Sequence, residues 1–328
     1  MRNKFLFTGL MLLNFVAFSQ ENVKKTLKLM GSRFDITVVA NSESEGGSYI
    51  NLAIDEISRI EQLISSWDPN SQTSLINKNA GIKPVKVDKE LFDLIERAIA
   101  ISKLTNGAFD ITYASMDRIW MYDGSMKQMP SPEMIKSSID KVGYQNIQLD
   151  KDKNTVFLKI EGMKIGFGAI GKGYAADKAK QLLNDKGVDA GIINASGDLN
   201  AWGKQANGEN WMVAITNPLN KNKAFSWLPI HNAAVVTSGN YEKFVSFNGI
   251  RYSHIIDPRT GYPSTGIISV SIMTSNAEFA DAISTSVFVM GVETGLDFIN
   301  QLKGVECIIV DDQNKIYESK NIVLNNTD

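Results

Sequence analysis

Gly166-Phe-Gly-Ala-Ile-Gly-Lys-Gly173 is the stretch on which the fold class turns. Its first six residues match the dinucleotide fingerprint G-x-G-x-x-G, a helix is expected over Tyr174–Lys186, and Asp189 stands at a suitable distance. Extended through Lys172-Gly173, the same residues nearly match the phosphate loop G-x-x-x-x-G-K-[ST], but Gly173 has no hydroxyl for a metal ion. The flanks argue against both. Asn154–Ile160 and Lys164–Phe167 read as a hairpin around Glu161-Gly162, and no repeated parallel βαβ pattern surrounds them. A single α+β domain follows. One physical property outlasts both motifs: glycines admit a phosphate to the backbone, a helix N-terminus favours its charge, and Lys172 adds a cation. The alternative is a purely structural glycine turn.

Outward from this turn the elements are mixed. Thr26–Ala40 reads as a strand pair broken at Gly31. Ser48–Ser65 has apolar residues at helical spacing (Ile50, Ala53, Ile57, Ile60, Ile64), and Pro69 forbids continuation. Lys89–Thr105 is a second helix closed by Asn106-Gly107. Gly191–Leu199 reads as a buried strand emptying into a Ser-Gly-Asp turn. No repeat of 20 to 50 residues and no linker divides the chain.

Two segments carry candidate chemistry. Thr237-Ser-Gly-Asn-Tyr-Glu-Lys-Phe244 and Arg251-Tyr-Ser-His-Ile-Ile-Asp-Pro-Arg-Thr-Gly261 place hydroxyls, a histidine and a Pro-Arg-Thr-Gly turn close together. His254 falls at a strand end, where a loop can aim it at a ligand; an ordinary strand and turn is the alternative. Ser275–Gly291 reads as a helix with a capping box at Ser275 and Glu278, stopped by Gly291. On it Asp281 and Thr285 are four apart and share a face among apolar neighbours. A buried carboxylate needs a cation or several donors, and carboxylate plus hydroxyl is plausible oxygen ligation for Mg²⁺. A Thr bonding its own helix beside a partly exposed Asp is the other reading.

Composition narrows the partners. With 34 basic and 36 acidic side chains the chain has no bias toward nucleic acid or acidic membrane. Its one cysteine, Cys307, sits in an apolar strand-like run, and an internal disulfide is impossible. Two distant histidines make a His/Cys zinc cluster improbable. Residues 1–19, with Arg2 and Lys4 before an apolar run and Ala17-Phe18-Ser19 before Gln20, have the form of a cleavable signal peptide. There is no cysteine at the cleavage point for a lipid anchor. An exported, soluble, periplasmic protein over 20–328 is expected, its only membrane links being its acceptor or a residual signal anchor at the inner membrane.

Taken together, Met30-Gly31, Ser66-Trp67, Gly107-Ala-Phe-Asp110, Gly168-Ala-Ile-Gly-Lys-Gly-Tyr-Ala-Ala-Asp177 and Asn194-Ala-Ser-Gly-Asp198 resemble the ApbE family of FAD:protein FMN transferases. The resemblance continues through Thr237–Tyr241, His254–Gly261 and Ala280–Thr285, covering nearly all of the chain past residue 20. Gly166-Phe167 departs from the family, which often has Asp-Leu there, and Ser196 stands in a turn that is commonly Gly-Gly-Asp.

The resemblance implies a T-fold-related domain with mixed sheets and flanking helices. It implies transfer of FMN from FAD to a Thr or Ser hydroxyl of an acceptor flavoprotein, of Nqr or Rnf type or a related exported FMN-binding domain, leaving AMP. Mg²⁺ would be held by the Ala169 carbonyl, Asp281 and Thr285. Met30, Ser66, Trp67, Asp110, Lys172, His254 and Ile255 would contact FAD, with Trp67 positioned to stack on a ring. His254 is the first candidate for proton transfer or phosphate contact, with Asp257 or Asp281 as the alternative base. An FAD pyrophosphatase and a non-catalytic FAD binder are the alternatives from other classes.

Overall fold

The computed structural model describes residues 20–216, 224–241 and 243–322; the expected signal segment lies outside them. Strands β1 (Glu21–Leu29) and β2 (Ser32–Ala40) form a hairpin at Met30-Gly31, both with positive φ. Helix α1 (Glu43–Ile64) starts earlier than Ser48, because Ser42 caps it by accepting the Glu45 N–H. Gly46-Gly47 does not delay it: a Cβ on Gly46 would strike Val23, so this glycine lets α1 lie close on β1. Next come α2 (Gln72–Lys78), β3 (Val85–Lys86), α3 (Lys89–Leu104), α4 (Pro132–Ser138), β4 (Ile147–Asp150) and β5 (Thr155–Leu158).

The expected hairpin around Glu161-Gly162 is not formed. β5 pairs instead with β4 before it, and with β3. Lys164–Phe167 joins no strand. Side chains serve its backbone: Asn77 both donates to the Ile165 carbonyl (3.0 Å) and accepts its N–H (2.8 Å), and the Ser115 hydroxyl does the same for Lys164. Such long-range partners leave no periodic trace in sequence.

Helix α5 (Gly171–Asp185) follows, then β6 (Gly191–Ala195), β7 (Asp198–Trp202), β8 (Trp211–Thr216) and β9 (Ala224–Ile230). The chain continues through β10 (Ala233–Gly239), β11 (Phe244–Phe247), β12 (Ile250–Ser253) and β13 (Ile267–Thr274). Helices α6 (Ala277–Met290) and α7 (Val292–Ile299) and strands β14 (Glu306–Asp311) and β15 (Ile316–Glu318) complete it. The α6 cap is Asn276, which accepts the Phe279 N–H, and not Ser275. Glu278, itself buried, pairs with Arg97 of α3 at 2.7 Å rather than turning back to Ser275, so no capping box forms.

The main sheet runs β1-β2-β6-β7-β10-β13-β14-β15. The α+β class holds, but every pairing among the described strands is antiparallel, so the expectation of mixed sheets narrows. Hairpins or returning excursions connect the neighbours, whereas parallel pairing would need crossovers. Side-chain alternation splits the two faces. Phe34, Ile36, Val38, Val236 and Ile272 face a core with α1, α5 and α6; Val39, Val235, Leu199 and Ile308 pack under the β8–β9 ribbon. A small third cluster of Trp120, Ile135 and Ile256 lies beside the loops that reach the cleft described next.

Candidate functional site

The glycine turn and α5 meet α6 at very short range. Gly171 starts α5 earlier than Tyr174, its N–H bonding the Phe167 carbonyl at 2.7 Å. A Cβ on Gly173 would lie 2.1 Å from the Ala277 carbonyl oxygen, so only glycine lets the two helices touch here. This contact carries Asp281 to α5. The carboxylate is 4% exposed and accepts the Gly173 N–H at 3.2 Å. Burial pushes its carboxyl above the usual range, opposed by the positive charge of Lys172 and by backbone N–H groups of the Lys172-Gly173 turn. The Lys172 ammonium forms an ion pair with Asp198, a buried carboxylate at the start of β7. Thr285 lies one turn beyond Asp281, its Oγ1 3.4 Å from Ser238 Oγ, which also meets Ser284 Oγ at 2.8 Å.

This donor set fits a hard cation. A carboxylate has about four lone-pair sites, more than the Gly173 N–H serves, and a buried one calls for positive charge. Beside the Lys172–Asp198 ion pair, the hydroxyls of Thr285 and Ser238 are neutral oxygens of the kind Mg²⁺ accepts. Among the described residues no trio of His, Cys, Asp or Glu converges, so an ion here would depend on hydroxyl and backbone oxygen.

The second part is a cleft of about 570 Å³ lined by, among others, Ser66, Trp67, Tyr122, Lys243 and His254. That volume suits a small-molecule site, typically about 300–1,000 Å³. Ser66-Trp67 follows the end of α1, and Trp67 is 85% exposed. Arg118, Lys164 and Lys243 outnumber Asp117 on its walls. His254 immediately follows β12, and its Nδ1 is 3.2 Å from the Lys243 carbonyl. A carbonyl only accepts, so Nδ1 carries the proton of the neutral ring and Nε2 keeps a lone pair. Burial lowers the imidazole below its ordinary pKa, favouring that neutral form. Tyr122 meets the ring edge-on, centroids 6.4 Å apart.

The expected residues therefore divide. Ser66, Trp67 and His254 share the cleft; Ala169, Lys172, Asp281 and Thr285 belong to the turn and the helix crossing. Met30 lies on the side of the turn, its N–H bonded to Glu61 and its methyl against Gly171. Asp110 and Ile255 are not among the side chains lining the cleft. Asp110 accepts the Thr112 N–H and hydroxyl and the Tyr144 N–H, tying two loops together. Ile255 packs against the main core. Sequence reasoning singled out the segments holding Asp198 and Ser238 without assigning either a contact, and passed over Tyr122. Asp198 had a usable signal, an acidic residue closing a glycine turn into an apolar strand; Tyr122, in a loop, had none. Another depression of about 540 Å³, around Arg97, Tyr174 and Lys178, holds none of the expected residues.

Residues 30–309 match the profile of the ApbE family. An FAD:protein FMN transferase from Treponema pallidum is 30% identical over 293 residues, 84% of this chain and 81% of that protein. One from Klebsiella pneumoniae is 30% identical over 284 residues, 86% and 87% of the two chains. The solved ApbE protein of Thermotoga maritima superposes with a TM-score of 0.82 at 30% identity, covering 92% of this chain and 97% of its own. The apo flavinyl transferase ApbE of Pseudomonas stutzeri shares the fold, with a TM-score of 0.81 at 24% identity over 93% and 96%.

Proposed function

From the premise that the chain belongs to the ApbE family, whose relatives are FAD:protein FMN transferases, we propose that it moves FMN from FAD to a Thr or Ser hydroxyl of an exported acceptor flavoprotein. The observation that carries this reading is the helix crossing, where Gly173 brings a lysine and a buried carboxylate together beside a phosphate-compatible turn.

The acceptor hydroxyl oxygen bonds to the FMN-side phosphorus as the bond from that phosphorus to the bridging oxygen breaks, and AMP leaves with the bridging oxygen. The product is an FMN phosphoester on the acceptor. Such transfer depends on positioning and charge neutralisation more than on covalent help from the protein. His254 Nε2 accepts the hydroxyl proton, its ring held by Nδ1–H on the Lys243 carbonyl. Lys172, adjacent to the turn, neutralises phosphate charge, while Asp198 keeps the ammonium in place. Trp67 stacks on a ring of FAD, and the cationic cleft wall attracts its phosphates. Mg²⁺ bound by Asp281, Thr285 and the Ala169 carbonyl would supply further charge neutralisation on the pyrophosphate.

The signal-like residues 1–19 support an exported, periplasmic protein, and among the described residues no helix is long and apolar enough to cross a membrane. The acceptor is then an exported FMN-binding domain of Nqr or Rnf type or a relative, met in the periplasm at the inner membrane. The test is incubation with FAD and Mg²⁺, with and without such a domain. AMP release should rise with acceptor and equal the flavin retained on it in a denaturing gel. Equally fast FMN release without acceptor, and none retained, would make the protein a pyrophosphatase; no AMP in either case would make it a binder.

A further inference from the structure

Asp177 lies outside both parts of the site, yet it joins the elements that build one of them. It follows Gly173 by one turn of α5, and its carboxylate accepts the Ala277 N–H at 3.0 Å and the Glu278 N–H at 2.9 Å. These belong to the first turn of α6, whose N–H groups have no partner within their own helix. An anion there is also favoured by the helix dipole. The Asn200 side-chain amide donates to the same carboxylate from β7. Lys180, on α5, donates to the Asn200 side-chain oxygen Oδ1 at 2.9 Å, holding the amide in that orientation.

Two rungs thus connect α5 to α6. In one, the Gly173 N–H reaches Asp281; in the other, Asp177 receives Ala277. The rungs are four residues apart on each helix, so both lie along one line of contact. Glycine at 173 removes the steric barrier at the crossing, but absence of a barrier does not fix a distance. The 177–277 rung fixes it. Asn200 extends the tie to β7, the strand that begins with Asp198, partner of Lys172. The node therefore touches the element carrying Lys172, the helix carrying Asp281 and Thr285, and the strand carrying Asp198.

We propose that Asp177 is a positioning residue for divalent-metal binding at Asp281 and Thr285, setting the separation of α6 from the glycine turn; this rests on reading Asp281 as a metal ligand. Residues that orient metal ligands typically cost 10–100-fold in metal affinity when changed. Asp177→Asn keeps the volume and one acceptor oxygen but turns an amide NH₂ toward the second helix N–H.

The probe is Mn²⁺ titrated into the full chain, the free ion followed by electron paramagnetic resonance, without FAD. Asp177→Asn should weaken Mn²⁺ binding by about 10-fold or more, Asp177→Glu should recover part of the loss, and Asp281→Ala should abolish binding. Wild-type affinity in Asp177→Asn, with binding lost in Asp281→Ala, overturns the proposal while leaving the metal assignment intact. Retained binding in Asp281→Ala overturns the metal assignment and the proposal with it. Should Asp177→Asn fail to fold, Asn200→Ala removes the tie from β7 alone. A several-fold loss of Mn²⁺ affinity is expected there, and no change would overturn the proposal.

Discussion

At the crossing of α5 and α6, a single added methyl on Gly173 would stand 2.1 Å from a carbonyl oxygen, and the carboxylate it faces is 4% exposed. Around the cleft, Trp67 is 85% exposed, and among the described residues the neighbouring cluster draws on Met116, Met126 and Met129 beside the buried Trp120, Ile135 and Ile256. Methionine side chains fill space without fixing it. The main core, by contrast, presses α1, α5 and α6 onto the central sheet. The difference matches two demands of the proposed reaction. Charge on a pyrophosphate must be met at fixed distances, because preorganised groups stabilise it without reorganising. A flat ring and an incoming protein need access, and a partly open, adjustable wall provides it.

The sharpest attempt to break this comparison gives the chemistry to the open side. His254 belongs to the cleft, and a positioned acid or base contributes about 10²–10⁴-fold. His254→Gln should therefore lose turnover on that scale while Mn²⁺ binding at the crossing stays as in wild type. Burial lowers the imidazole from its ordinary value near 6.5, so the neutral base persists below that pH. Wild-type kcat/KM should fall only as pH drops below about 6.5, and the His254→Gln profile should lack that limb. The linkage has the same direction: the unfolded chain takes up this proton first, so His254 costs stability as pH falls from the unfolded value through the lower folded one. A full acid limb in His254→Gln would move the titrating base to the rigid side.

Gly173→Ala tests the rigid side directly. The added Cβ meets backbone rather than a flexible side-chain end. Overpacking of this kind costs about 1–3 kcal/mol, occasionally more. A melting temperature lower by roughly 2–4 °C for each kcal/mol is the corresponding reading. Mn²⁺ affinity should fall as well, because Asp281 hangs on the Gly173 N–H. A wild-type melting curve and metal affinity would show that the crossing tolerates slack, and the contrast between the regions would fail.

The same contrast governs what could be read from sequence. The stripe Ile50, Ala53, Ile57, Ile60 and Ile64 announced α1, and Asn106-Gly107 closed α3 near Leu104, because both signals are local. Lys172, Asp281 and Thr285 were visible as chemistry in their own segments. Their meeting depends on Gly173 and Ala277, which identify a contact only once both helices are in place. Lys164–Phe167 had strand-like composition but found its partners in the side chains of Asn77 and Ser115. Asp110 carried a functional expectation from its motif, whereas its carboxylate in the fold is occupied by Thr112 and Tyr144. The cleft wall was least legible. Tyr122 lies in the loop-rich segment before Pro130, where no periodicity exists to assign a face.

The smallest expected effect concerns the most exposed large side chain of the cleft. Trp67 follows the end of α1, its N–H bonded to the Ser65 hydroxyl at 3.2 Å, so its backbone is held while its ring is free. An exposed tryptophan contributes little to the folded state, and Trp67→Ala should leave the melting temperature nearly unchanged. An aromatic pair is worth about 0.5–1.5 kcal/mol beyond its buried area. FAD affinity should therefore fall by roughly several-fold, measured as flavin-induced quenching in wild type and by calorimetry in the variant. Metal affinity should not move. If FAD binding is unchanged, Trp67 is a surface residue with another purpose, and the ring is recognised deeper in the cleft. If metal affinity falls instead, the two regions are coupled through α1, whose Ile64 touches Gly171, and the open wall is less independent of the crossing than its exposure implies.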